Sequence, residues 1–373
     1  MTVQQKKITP IPLLVSKQAR FVGDPVAAVI AETYDAAIDA IEKIKVTWVP
    51  TAAVTETQDA LLSKSPQIWK HIPENLAADV FYGEEEACDA KFKDAVYIVS
   101  LKTAVQRVTG AMPETRAAVA DYNRSADRIT LYCGGDNSVR LKRDIAHALG
   151  FEEEQIRVIS GDIGGNYGTR NWTYPEYVVT AYAAKALQRP VRWQATRSEA
   201  LLSDYHGRDN YADAKLALDG NGKFLASRAV ITTNIGAYTV AFVPLMKTTE
   251  LLPSVYNIAT AAIRGRAAIS NTSPTAPYRS AGRPEAMFII ERLIEIAAPI
   301  VGIDSLTLRQ LNLIDPKQMP YRTALGLEYD NGNFKEAMNR ALTLGEWTTF
   351  PERRIASEQA GKLRGIGFAN YIE

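Results

Sequence analysis

The residues best equipped for chemistry fall in one short run, Gly161-Asp162-Ile163-Gly164-Gly165-Asn166-Tyr167-Gly168-Thr169-Arg170. Its four glycines let a backbone turn sharply and approach a ligand closely. Main-chain N–H groups gathered in such a loop can hold an anionic oxygen, and the start of a following helix adds to that field. A strand over 155–160 and a helix over 174–187 are expected on either side. Thr173 is the expected helix cap, and Pro175 suits the first turn. No Gly-Lys-Ser/Thr follows, so the run is not a Walker loop, and its glycine spacing is not that of the dinucleotide fingerprint. Taken alone it fits either a ligand-cradling loop or a plain tight turn.

A second polar segment, residues 270–286, is rich in proline and small residues, carries Arg279 and Arg283, and leads into an apolar helix expected over 285–301. Together the two segments resemble the molybdenum-binding large subunit of the xanthine dehydrogenase and aldehyde oxidase family, in its bacterial carbon monoxide dehydrogenase-like branch. The first signature, roughly Asp-Val-Gly-Gly-Gly-Phe-Gly-x-Lys, stands here as Asp162-Ile163-Gly164-Gly165-Asn166-Tyr167-Gly168-Thr169-Arg170. The second, roughly Tyr-Arg-Gly-Ala-Gly-Arg-Pro-Glu-Ala, runs from Tyr278 to Ala286 with Ser280 in place of its first glycine. Val22 to Val29 is similar to a recurring segment of the family's α/β-hammerhead domain, and Asn234-Ile235-Gly236-Ala237-Tyr238 to a segment of its first cofactor domain.

The resemblance implies a class of reaction: hydroxylation of a carbon with oxygen from water, the electrons leaving through iron–sulfur clusters to flavin. It implies a molybdenum–molybdopterin cofactor, in the cytosine dinucleotide form, whose metal is held mainly by the pterin's dithiolene sulfurs rather than by protein side chains. Gly164, Gly165, Asn166, Tyr167 and Gly168 match the loop that lies against that cofactor. Arg279 matches the arginine of the substrate-side loop, where a guanidinium orients substrate or stabilises developing negative charge. Without the resemblance, Arg279 reads equally as a surface salt-bridge partner. Arg283 is expected to brace the loop against Glu285 or Glu291.

Ser280 occupies the place of the copper-binding cysteine of carbon monoxide dehydrogenase. A hydroxyl is a poor copper(I) ligand, which points to an aldehyde or heteroaromatic substrate. The family's glutamine near the metal is matched, without gaps, by Gly134. A shifted loop would instead bring Asp136 or Asn137 there, while Asp136 is also simply a favourable acid at a helix N-terminus. The general-base glutamate of the family belongs to a second molybdopterin-binding domain, beyond residue 373. Glu114, in a structural motif, Glu176, at a helix start, and His206, a packing residue, are not assigned its role.

Composition narrows the remaining classes. The 373 residues carry a formal net charge of +1, which gives no reason to expect nucleic acid or an anionic membrane as partner. Two cysteines, Cys88 and Cys133, make no disulfide framework, so a reducing, cytoplasmic setting is expected. His71, His147 and His206 lie far apart, and nothing has the spacing of a zinc site.

The elements that must position the loops read as an α+β chain. Strands are expected over 25–31 and 45–49, flanking a helix capped by Thr33, as a truncated hammerhead-like unit spanning 1–57. Residues 58–90 read as a connecting segment. The first molybdopterin-binding domain is expected over 91–314, with mixed sheets and flanking helices. Its strands are placed at 97–105, 117–122, 128–133, 211–218 and 224–232, with helices at 138–149 and after Asp304. Asp219-Gly220-Asn221-Gly222 is the strongest hairpin signal. Residues 315–373 read as a loosely packed linker, ending in a stretch, 363–373, that resembles the opening strand of the second domain.

Expected partners are a polypeptide carrying that second domain, iron–sulfur and FAD subunits, and a small-molecule substrate. The chain is expected to be inactive alone. The alternatives are a non-catalytic assembly module or truncated gene product that docks redox subunits, and an unrelated nucleotide-binding protein.

Overall fold

The computed structural model describes residues 2–3 and 6–373. Its strands, in chain order, are β1 (Thr2–Val3), β2 (Leu76–Gly83), β3 (Tyr97–Val105), β4 (Ala117–Asn123), β5 (Arg128–Cys133), β6 (Ile156–Ile159), β7 (Val191–Gln194), β8 (Asn210–Leu218), β9 (Phe224–Gly236) and β10 (Thr260–Ile269), with a late hairpin of β11 (Tyr321–Arg322) and β12 (Glu328–Tyr329). The helices are α1 (Tyr34–Glu42), α2 (Thr57–Ala60), α3 (Glu85–Lys93), α4 (Ser138–Leu149), α5 (Pro175–Leu187), α6 (Arg197–Ser203), α7 (Val243–Glu250), α8 (Arg283–Val301), α9 (Ser305–Asn312), α10 (Phe334–Leu344) and α11 (Phe350–Gln359).

The large sheet runs β1-β2-β10-β9-β8-β3 and is antiparallel except for the parallel pair β9–β10. The small sheet runs β6-β5-β4-β7, with β5 and β6 parallel. The expected hairpin forms as β8–β9. Asp219 supports its turn by accepting from the main-chain N–H groups of Asn221 and Lys223, both at 2.8 Å. β9 is buried at most positions because it lies inside the large sheet, with strands on both sides.

Each sheet has its own core. Ile289, Ile290, Leu293, Ile294 and Ala297 of α8 share one buried cluster with Val99, Leu216 and Ile231 of the large sheet. Leu141 and Ile145 of α4 and Tyr177, Val178 and Ala181 of α5 pack with Ile129 and Leu131 of the small sheet. Burying each leucine, isoleucine or valine among them contributes about 1.5–3 kcal/mol. α4 spans the expected residues; Asn137 accepts from the Arg140 N–H at 3.1 Å at its start, and Gly150, at φ 68°, closes it.

Three expectations change. The strands expected over 25–31 and 45–49 do not form. Only α1 appears between them, capped by Thr33, whose hydroxyl accepts from Ala36 N–H at 3.2 Å. A strand needs a hydrogen-bonded neighbour, and none of the described residues supplies a ladder here; Val22 and Val49 remain 77% and 83% exposed.

The stretch read as a connecting segment instead contains most of α3 and all of β2, the strand that lies between β1 and β10 in the large sheet. Asp79 hid it by interrupting the apolar pattern. In the fold, Arg264 on the neighbouring strand donates to Asp79 twice, at 2.9 and 2.6 Å. Finally, 363–373 forms no strand. Asn370 is nonetheless buried, its N–H donating to Glu291 at 3.1 Å and its amide to the Tyr256 hydroxyl at 3.0 Å. Packing after Asp315 is uneven: Tyr329 and Met338 are buried, while Leu344 and Leu363 are exposed.

Candidate functional site

The glycine run connects β6 to α5, as its sequence predicts. Pro175 opens α5, but Thr173 does not cap it: Tyr174 stands at the cap position, and the Thr173 hydroxyl donates instead to Asp144 at 2.9 Å. Proline at the first helical position already removes one unpaired donor, so a side-chain cap has less to satisfy. Glu176, in the first turn, does more than face the helix dipole. It pairs at 2.8 Å with Arg116, a fully buried guanidinium that also contacts Asp204 and lies 4.1 Å from the Tyr174 ring.

Inside the loop, side chains hold the main chain. Asn166 accepts from Gly168 N–H at 2.7 Å and donates to Asn171 at 2.6 Å. Arg170 donates to the carbonyls of Gly165, at 3.1 Å, and Glu114, at 2.6 Å. Gly165 (φ 115°) and Gly168 (φ 95°) occupy the left-handed region that glycine tolerates, and Tyr167 joins them at φ 51°. A Cβ on Gly168 would approach the Pro277 carbonyl to 2.5 Å, so that glycine is what lets the two motif loops touch.

The loops meet at one main-chain bond: Arg279 N–H donates to the Tyr167 carbonyl at 2.8 Å. The rings of Tyr167 and Tyr278 stand edge to face with centroids 6.4 Å apart. Tyr167, Gly168, Pro277, Tyr278, Arg279, Ser280 and Ala281 line an open groove of about 260 Å³. The Arg279 side chain is exposed and, among the described residues, forms no salt bridge.

Arg283 is a further correction. It braces the loop through the Ser280 carbonyl, at 3.2 Å, and pairs with Glu373 at 3.6 Å, rather than with Glu285 or Glu291. Those two carboxylates already have partners: Arg208 for Glu285, at 3.0 Å, and Arg309 for Glu291, at 2.7 Å.

Gly134 lies beside the loop: a Cβ there would meet Ile163 at 3.1 Å, and its carbonyl accepts from the Tyr177 hydroxyl at 3.3 Å. Asp136 is tied by its N–H to Asn171 at 3.3 Å, and Asn137 is committed to capping α4.

Sequence reasoning missed the residue that shapes the second loop. Arg208 donates to the carbonyls of Tyr278, at 3.3 Å, and Arg279, at 2.8 Å, besides pairing with the buried Glu285. Burial raises the Glu285 carboxyl above its ordinary value, against the opposing pull of Arg208. Arg107 supports the same loop from below, donating to Asp209, Thr272 and the Ser273 carbonyl at 2.7–2.8 Å. Burial, reinforced by the neighbouring Arg107 charge, pushes the His206 imidazole down to about 4, so it is neutral near pH 7. A buried ring this weakly basic is a poor proton acceptor and suits packing.

The donors left over define what the site can do. Among the described residues, the N–H groups of Gly165, Asn166 and Tyr167 have no protein acceptor. Consecutive free donors in a glycine loop suit oxygen atoms of an anionic cofactor, and the residues present therefore fit such a group. Among the described residues no cluster of three His, Cys, Asp or Glu side chains is arranged to hold a metal ion.

The chain is similar to known proteins over nearly its whole length. Residues 68–313 match the family model described as the molybdopterin cofactor-binding domain. The chain is 28% identical over 381 residues to the carbon monoxide dehydrogenase large chain of Hydrogenophaga pseudoflava, covering 97% of this chain and 47% of that protein. It is 27% identical over 371 residues to the nicotine 6-hydroxylase large subunit of Paenarthrobacter nicotinovorans, covering 97% and 45%. The fold superposes on quinoline 2-oxidoreductase from Pseudomonas putida 86 with a TM-score of 0.91 at 27% identity, over 97% of this chain and 46% of that one. The chain thus spans about half the length of the curated relatives it matches.

Proposed function

The chain belongs to the molybdopterin cofactor-binding domain family, and from that premise we propose that it supplies one side of the cofactor site in a molybdenum hydroxylase. The observation that carries the reading is the Arg279 N–H to Tyr167 carbonyl bond, which joins the cofactor-side and substrate-side motifs at one groove. When bound, the cofactor would supply two-electron oxidation of a carbon with oxygen from water.

In this proposal, the free N–H groups of Gly165, Asn166 and Tyr167 hold cofactor oxygens. Gly164 and Gly168 keep the loop close enough to do so, and Gly134 lines the same side. The exposed Arg279 guanidinium orients substrate or stabilises negative charge as the reaction proceeds. Ser280, lacking a thiolate, supports an aldehyde or heteroaromatic substrate over carbon monoxide. The cytosine dinucleotide form of the cofactor, a cytoplasmic setting and partners bearing iron–sulfur and FAD groups belong to the same proposal. So do the domain bounds 91–314 for the cofactor unit and a second molybdopterin-binding domain on a partner polypeptide.

Among the described residues no helix is long and apolar enough to cross a membrane. No residue here is assigned as general base, so turnover by the isolated chain is not expected; losing a positioned base commonly costs roughly 10²–10⁴-fold.

The test is co-expression with a polypeptide carrying the second cofactor domain and with iron–sulfur and flavin subunits. Near-stoichiometric molybdenum and pterin in the purified complex, followed by aldehyde or heteroaromatic turnover, is the expected result. A folded complex without pterin would overturn the proposal.

A further inference from the structure

Glu114 bears on the glycine loop from a segment that the proposed function leaves without a role. Its carboxylate accepts from the Gly164 N–H at 2.5 Å, and its own N–H donates to the Gly164 carbonyl at 3.3 Å. The two residues are 50 apart in sequence, so this is a tertiary clamp. The clamp stands on a fixed base. Arg197 donates to the carbonyls of Met112 and Pro113, both at 2.7 Å, and Arg170 donates to the Glu114 carbonyl at 2.6 Å while also holding the Gly165 carbonyl. Gly164 must be a glycine for the contact to exist, because a Cβ there would run into the Glu114 side chain and come within 3.0 Å of its nitrogen.

We infer that Glu114 is a positioning residue of the cofactor loop: it fixes the peptide unit at Gly164, so that the next three N–H groups are presented together as free donors. The functional meaning of this rests on the cofactor reading above; the positioning itself does not. A hydrogen bond to an ionised acceptor is about twice as strong as a neutral one. It orders the loop by engaging one donor and leaving its neighbours available. Glu114 is exposed, so the fold does not depend on its side chain for core packing.

Millisecond hydrogen exchange read by mass spectrometry on the unliganded chain tests the inference. In Glu114→Ala the exchange of the Gly164 amide, read in peptides spanning 161–168, should rise by about tenfold, with the melting temperature held. In Glu114→Gln, which keeps an acceptor, exchange should return to within about threefold of the parent chain. In the co-expressed complex, molybdenum and pterin should fall in Glu114→Ala and be retained in Glu114→Gln.

Unchanged exchange in Glu114→Ala overturns the positioning role whatever happens to the cofactor. So does a failure of Glu114→Gln to restore protection. If exchange shifts as expected while the parent complex carries no pterin, the positioning role stands and the cofactor reading falls.

Discussion

The two loops that form the groove are built on opposite plans. In the glycine loop, side chains of Glu114, Asn166 and Arg170 engage chosen main-chain groups and leave consecutive N–H donors free. In the second loop, the guanidinium groups of Arg208 and Arg283 take up the main-chain carbonyls of Tyr278, Arg279 and Ser280, and the exposed group is a cationic side chain. One loop offers backbone dipoles fixed in place; the other offers a charge on a flexible stem. Under the proposed function, that difference suits the glycine loop to a cofactor of constant shape and the second loop to substrates that change with each turnover.

The comparison breaks most readily at Arg208. Arg208→Ala leaves Glu285 buried without its ion-pair partner and frees two carbonyls, so chemical denaturation should show a loss of about 3–5 kcal/mol. A loss below about 1 kcal/mol would mean that water replaces the guanidinium, and that the second loop is not held as described.

Gly165→Val sharpens the other side. Its φ of 115° excludes an ordinary side chain, and a Cβ would meet Met112 at 3.1 Å. A destabilisation of about 1–3 kcal/mol is expected, with loss of molybdenum and pterin from the co-expressed complex. Unchanged cofactor content at equal folding quality would reduce the loop to a tight turn.

A third test uses acidity. The folded-state value of His206 is depressed to about 4 from an ordinary 6.5. The neutral ring therefore stabilises the fold above pH 6.5, and that contribution is lost as pH falls toward 4. His206→Asn should flatten this part of the stability profile relative to the parent chain, read as melting temperature against pH. Parallel profiles would show that His206 titrates alike in both states.

Arg279→Ala should move the fold least, within about 0.5 kcal/mol, because its side chain is exposed and unpaired among the described residues. In the co-expressed complex its turnover should drop by more than its molybdenum content. Equal losses of both would make Arg279 a support for the cofactor rather than a substrate-facing charge.

Much of this contrast was legible before the fold was known, and what was hidden has a common cause. Glycine spacing marked the first loop, Asn-Gly and Asp-Gly marked the β8–β9 turn, and periodicity with Gly150 bounded α4, because those signals are local. Arg208 contributes to the second loop across 71 residues, and Glu114 to the glycine loop across 50. A single arginine or glutamate carries no sign of a distant carbonyl or amide. β2 was hidden by the same distance, since Asp79 makes sense in a strand only beside Arg264. The reverse error arose over 25–31 and 45–49, where β-branched runs gave the local signal of strands and the described chain supplies no neighbour to pair with them.

The Asn166 bridge has an entropic consequence. Its amide spans Gly168 and Asn171, closing a small ring over the turn before any ligand arrives. Fixing a backbone residue costs about 1–2 kcal/mol of conformational entropy, more for glycine. Here that cost falls on folding, where the packing of two cores offsets it. A ligand entering the loop meets an already ordered surface, and its affinity is not reduced by the work of ordering it.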